Sequence, residues 1–141
     1  TVPQSAGHIP TVHDYKPSGR GYYHQPGAPE KLGREYVFSS PDPLWAFGFG
    51  LSYTTFEYAA LKVETPAIGT RAAAKVSFVV KNTGGRAGKE VAQVYIRDEV
   101  SSVTTPVMRL AGFEKIELPP GESRTVTVTI PPSELSLWNA P

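Results

Sequence analysis

Ser123–Ile130 reads SRTVTVTI. Val126, Val128 and Ile130 recur at every second position, with Thr125, Thr127 and Thr129 between them. Successive side chains of an extended strand point to opposite faces, so this octapeptide has one apolar and one hydroxylated face. That is the pattern of a strand resting on a core on one side only, and its β-branched residues suit a pleated surface. The reading extends in both directions. Pro119–Ser123 (PPGES) has the Pro-Gly order of a type II turn. Before it, Leu110–Leu118 (LAGFEKIEL) alternates less cleanly: Phe113 is out of phase with Ile116 and Leu118, which predicts a bulge or an edge strand.

Glu90–Asp98 (EVAQVYIRD) sets Ala92, Val94 and Ile96 on one side, with Gln93 and Arg97 opposite. In Lys75–Lys81 (KVSFVVK), Val76, Phe78 and Val80 share one face while Lys75, Ser77 and Lys81 share the other, and Asn82–Gly85 (NTGG) then turns the chain. Five strands are predicted, near 56 to 64, 74 to 82, 89 to 98, 108 to 118 and 123 to 130, followed by a short apolar run Leu135–Trp138. No window of this half supports an amphipathic helix. The predicted fold class is all-β, an antiparallel sandwich of fibronectin type III or immunoglobulin type. Such a sandwich usually has about seven strands, so the last strands are expected to be missing, and the strand at 89 to 98 to lack a neighbour. The chain opens at Thr1 and its single methionine is Met108. Both facts predict a piece of a longer polypeptide.

Residues 1 to 50 differ in kind. They are dense in proline and glycine and show no sustained period, yet they carry Tyr15, Tyr22, Tyr23, Tyr36, Phe38, Trp45, Phe47 and Phe49. A free tether is poor in aromatics, so this half is expected to be a linker lying on a surface. Six rings fall within Pro43–Tyr58 (PLWAFGFGLSYTTFEY). Leu51, Tyr53 and Phe56 are expected to enter the sandwich. Trp45, Phe47 and Phe49 are expected to anchor the linker against a neighbouring domain, with glycines at 48 and 50 letting the backbone pass close. Stacking on sugar rings is the competing use of such a row.

Composition removes several function classes. Fourteen Lys and Arg against thirteen Asp and Glu give a net charge of +1 without a basic run, so no nucleic acid or membrane partner is expected. No apolar stretch approaches the roughly 20 residues that cross a bilayer. Zero cysteines exclude disulfides and thiolate chemistry. Asp98 and Glu99 are neighbours on a predicted strand and point to opposite faces, so they cannot flank one glycosidic bond. Glu57, Glu114 and Glu117 fall on exposed strand faces, and Asp42 and Glu122 in turns. His8, His13 and His24 lack metal-site spacing, and Ser101 and Ser102 lie in no nucleophile motif. Gly48-Phe49-Gly50 lacks the third glycine and the helix of a dinucleotide loop. No catalytic residue, metal or cofactor is expected.

SSPDPLWAFGFGLSYTTFEY, VSFVVKNTGGRAGKEVAQVYIRD, RLAGFEKIELPPGESRTVTVTI and ELSLWN together resemble the C-terminal fibronectin type III-like domain of family 3 glycoside hydrolases, the β-glucosidase and β-xylosidase group. TVPQSAGHIPTVHDYKPSGRGYY is similar to the segment that leaves that family's second catalytic domain. The resemblance implies that 1–50 is an inter-domain linker and 51–141 a C-terminally incomplete fibronectin type III-like domain. It implies an accessory, structural role beside catalytic domains that supply the aspartate nucleophile and the acid/base, in a parent that cleaves terminal β-D-glucosidic bonds. A stand-alone carbohydrate-binding or adhesive module is the alternative. The resemblance further implies docking through Trp45, Phe47, Phe49, Tyr53 and Phe56, homodimer contacts, a periplasmic or secreted location, and Tyr22, Tyr23 and His24 as candidates at the parent's substrate entrance.

Overall fold

The computed structural model describes residues 1–7, 13, 16, 42–64 and 71–136. Five strands follow one another: β1 (Phe56–Val63), β2 (Ala74–Asn82), β3 (Gly88–Ile96), β4 (Arg109–Leu118) and β5 (Ser123–Ile130), then a 3₁₀ turn at Pro132–Leu135. They form a three-stranded sheet in the order β1-β2-β5 and a two-stranded sheet of β3 and β4. The inner faces of the two sheets supply one core, made of Ala74, Val76, Phe78 and Val80 from β2, Ala92 from β3, Ala111, Ile116 and Leu118 from β4, and Val126, Val128 and Ile130 from β5. Among the described residues the fold is thus an all-β sandwich of five strands, fewer than the roughly seven of a complete immunoglobulin-type sandwich. It divides into two compact units, one of Thr1–Phe49 with Arg97–Arg109, the other of Gly50–Ile96 with Leu110–Pro141.

The alternation read in β5 is the alternation observed. Val126, Val128 and Ile130 are buried and the threonines between them are exposed. β5 pairs antiparallel with β2, Val126 opposite Phe78 and Val128 opposite Val76, so both strands present their apolar faces to the same side. The preceding turn is as expected: the Glu122 amide donates to the Pro119 carbonyl at 3.3 Å, and Gly121, with φ of 75°, takes the left-handed position a type II turn assigns to glycine. In β4, Ala111 is buried in one phase and Ile116 and Leu118 in the other, while Phe113 is exposed, so the strand changes phase between them.

Ser77 departs from its reading as a solvent-facing residue. It is buried because β2 is the central strand, and Lys62 of β1 and Thr127 of β5 flank it on either side. A second departure concerns the entrance to the sheet. Leu51 and Tyr53 do not enter the sandwich: both remain over 90 % exposed, at 91 % and 93 %. Only Phe56 packs against the core. The reason lies in the next two residues. The Thr54 hydroxyl donates to Asn82 Oδ1 at 2.7 Å, and the Thr55 carbonyl accepts from the Thr83 amide at 2.9 Å, so the chain is fastened to the end of β2 only after Tyr53 has passed.

Asn82 is fully buried and uses its whole amide. Nδ2 donates to the carbonyls of Arg86 at 2.7 Å and Leu118 at 2.9 Å, while Oδ1 accepts from Thr54 and from the Gly84 amide at 3.0 Å. Its main chain joins in, with its amide donating to Glu122 and its carbonyl accepting from Gly121. One side chain therefore ties together the entry to β1, the NTGG turn and the end of β4. The glycines after it are required by the same packing, since a Cβ on Gly84 would collide with the Thr54 hydroxyl and one on Gly88 with the Thr54 methyl.

β1 contains the chief irregularity. Ala59 lies opposite Val79, but Lys62 lies opposite Ser77, so β1 carries one extra residue. Ala60 takes it up with φ of 54°, a left-handed conformation that costs an L-residue about 1–2 kcal/mol.

Candidate docking surface

The aromatic strip at 43–49 is held by the amino terminus. Val2 and Trp45 form an antiparallel bridge, with the Val2 amide donating to the Trp45 carbonyl and the Leu44 amide to the Val2 carbonyl, both at 2.8 Å. Gln4 Nε2 adds a bond to the Asp42 carbonyl at 2.9 Å. The strip then turns at Ala46–Phe49, closed by the Phe49 amide on the Ala46 carbonyl at 3.1 Å. Gly48, with φ of 78°, occupies the position where such a turn needs glycine. His13 stacks on Phe47 with ring centres 3.9 Å apart.

These bonds fix the backbone without hiding the rings. Leu44, Trp45, Phe47 and Phe49 all remain between 42 % and 56 % exposed. A cluster of bulky apolar side chains held in place yet uncovered is the arrangement of a contact surface, since it has little ordering entropy left to lose on binding. Of the residues expected to dock, Trp45, Phe47, Phe49 and Tyr53 are exposed while Phe56 is turned to the core. Tyr22, Tyr23 and His24 lie outside the described residues.

A second feature is a cleft of about 490 Å³ bordered by Tyr58, Leu61, Phe78, Gln93, Val94 and Tyr95, where β1 and β3 face each other. The Tyr58 hydroxyl donates to Glu90 Oε1 at 2.7 Å. Burial, then this bond and the charge of Glu90, push the Tyr58 phenol above its ordinary value of 10.0. Burial pushes the Tyr95 phenol up as well, and its hydroxyl donates to Gln93. Sequence reasoning missed this cleft, because Tyr58 and Tyr95 were legible only as members of separate strands and it is the packing of the two sheets that brings them to one cleft.

Asp98 and Glu99 lie beyond the end of β3, not on a strand as read from the sequence, and are engaged locally. Asp98 accepts from the Val100 amide at 3.3 Å and Glu99 pairs with Arg97 at 3.4 Å. Among the described residues no group of three or more His, Asp or Glu is placed to hold a metal ion, and no helix is long and apolar enough to cross a membrane.

Residues 90–141 match the fibronectin type III-like domain family. The chain is 39 % identical over 139 residues to a periplasmic β-glucosidase of Salmonella typhimurium, covering 99 % of this chain and 18 % of that protein. It is 38 % identical over 143 residues to a β-xylosidase of Formosa agariphila, again covering 99 % of this chain and 18 % of the relative. Among solved structures, the β-glucosidase of Listeria innocua in complex with glucose superposes with a TM-score of 0.78 at 34 % identity, over 97 % of this chain and 19 % of that one. The chain therefore spans about a fifth of the length of the relatives it matches.

Proposed function

The chain belongs to the fibronectin type III-like region of the family 3 glycoside hydrolases, and from that premise we propose that it is the accessory domain of a β-glucosidase-type enzyme that cleaves terminal β-D-glucosidic bonds. In the relatives this domain and the rest of the enzyme share one polypeptide, so its partners are the catalytic domains of its own chain. In this reading residues 1–50 link those domains to the sandwich at 51–141, and Trp45, Phe47, Phe49 and Tyr53 cover part of the catalytic body. Phe56 acts from the inner side, fixing the strip's far end to β1. The protein functions in the periplasm or outside the cell, and two copies of it make homodimer contacts.

The observation that carries this reading is the half-exposed row Leu44 to Phe49, immobilised by Val2 and Gln4. Completing the burial of a large ring contributes about 2 kcal/mol, so three of them suffice to hold a docked strip. The test is a triple alanine substitution of Trp45, Phe47 and Phe49 in the full-length enzyme. It is expected to lower the melting temperature by several degrees while kcat/KM per folded molecule stays within about twofold. An unchanged melting temperature removes the docking role. Retardation of the 141-residue chain on insoluble glucan, lost in the same variant, would replace it with sugar binding.

A further inference from the structure

β1 is the terminal strand of its sheet among the described residues, and every residue from Glu57 to Val63 is exposed. Its apolar members are not minor: Leu61 is 74 % exposed, and Tyr58 and Val63 about half. An exposed edge of this kind is a template for another strand unless its charges forbid pairing. Here the charges do the opposite, and they do so because of the bulge.

On a regular strand Glu57 and Lys62, five residues apart, point to opposite faces. The extra residue at Ala60 removes that conflict. Glu57 lies opposite Lys81 and Lys62 opposite Ser77, and residues 81 and 77 are an even number apart on a regular stretch of β2, so Glu57 and Lys62 share the outer face. A two-fold antiparallel pairing sets residues of one face against each other. Laid beside a copy of itself with its centre between Ala59 and Ala60, β1 brings Glu57 against Lys62 at both ends and Tyr58 against Leu61 twice. The two small alanines meet in the middle, where the bulge disturbs the strand most.

We propose that two copies of this chain join through their β1 edges in this register, making one continuous six-stranded sheet in the order β5-β2-β1-β1-β2-β5. The outer face then carries the charge row Lys81, Glu57, Lys62 of the second copy, in which each sign meets its opposite. On the inner face the Tyr58 and Leu61 pairs cover apolar surface that each copy leaves open at the cleft. Cross-strand pairs of these kinds each contribute roughly 0.2–1 kcal/mol, and the backbone bonds of the joined edges add to them. This names the surface for the homodimer contacts proposed above and rests on that reading.

The experiment is sedimentation equilibrium of the 141-residue chain over a concentration series, with Glu57→Lys, Lys62→Glu and the double exchange, each checked for retained strand signal by circular dichroism. The expected mass is twice 15.3 kDa at high concentration. Each single reversal is expected to raise the dimer Kd about tenfold, because like charges then face each other twice, and the double exchange to return it to within about threefold. Amide hydrogens across 57–62 are expected to gain exchange protection as the dimer forms. A chain that stays monomeric throughout overturns both this register and the homodimer reading. A dimer indifferent to both single reversals overturns the β1 edge alone and moves the contact to another surface.

Discussion

The sandwich strands and the aromatic strip use their apolar residues in opposite ways. In β2 and β5 the inward valines, Phe78 and Ile130 are all less than a tenth exposed. Between Leu44 and Tyr53 no large apolar side chain is less than two-fifths exposed. Yet both regions are held by defined backbone hydrogen bonds, in the sheet ladder on one hand and through Val2 on the other. Order and burial are thus separable: the strip is ordered while its rings stay uncovered, whereas the sheets are ordered by the contact they make.

The contrast can be broken or sharpened by substitution. Leu118 is 1 % exposed, and Leu118→Ala is expected to cost about 2–5 kcal/mol in urea unfolding. Asn82→Ala strands the Leu118 and Arg86 carbonyls and the Gly84 amide, and a loss of about 2–4 kcal/mol is expected, with the β1 entry exchanging its amides faster. Gly84→Ala pushes Thr54 away from Asn82, for about 1–3 kcal/mol by thermal melting. Trp45→Ala, Phe49→Ala and Tyr53→Ala are expected to stay within about 0.5 kcal/mol in this chain alone. A strip substitution as costly as Leu118→Ala would erase the distinction between the two regions.

The last prediction concerns pH. The folded-state value of Tyr58 lies above its ordinary 10.0, so the neutral phenol is the form the fold favours. Its contribution is complete below pH 10 and declines as the pH rises toward the raised folded value. The melting temperature is expected to fall above pH 10, and less steeply in Tyr58→Phe.

How far the sequence could be read follows the range of the interactions. Val126, Val128 and Ile130 reveal their face by local alternation, and Pro120-Gly121 reveals its turn by local backbone chemistry, so both were legible. Leu51 and Tyr53 depart from their expected place in the sandwich, and the reason is local: they are out of phase with Phe56 and Tyr58, so they cannot continue the inward face of β1. Asn82 looked like a turn residue because its Asx bond to Gly84 is local, whereas its bonds to Thr54 and Leu118 span 28 and 36 residues. The strip was legible as a row of rings; that Val2 and Gln4 would pin it was not, because nothing in TVPQ marks a bridging partner forty residues away.

Asn82 also constrains how the chain can go wrong. The inner face of β2 carries Val76, Phe78 and Val80, whose pairing with β5, valine to phenylalanine and valine to valine, would be nearly as good two residues out of place. Such a slip would keep every apolar side chain on the correct face, so hydrophobicity alone cannot prevent it. It would, however, carry the Leu118 carbonyl away from Asn82 Nδ2 and break the main-chain bonds of Asn82 to Gly121 and Glu122, at about 1–3 kcal/mol per lost partner. A single polar side chain at the strand's end thereby acts as an index mark, admitting one alignment of the sheet and penalising its near copies.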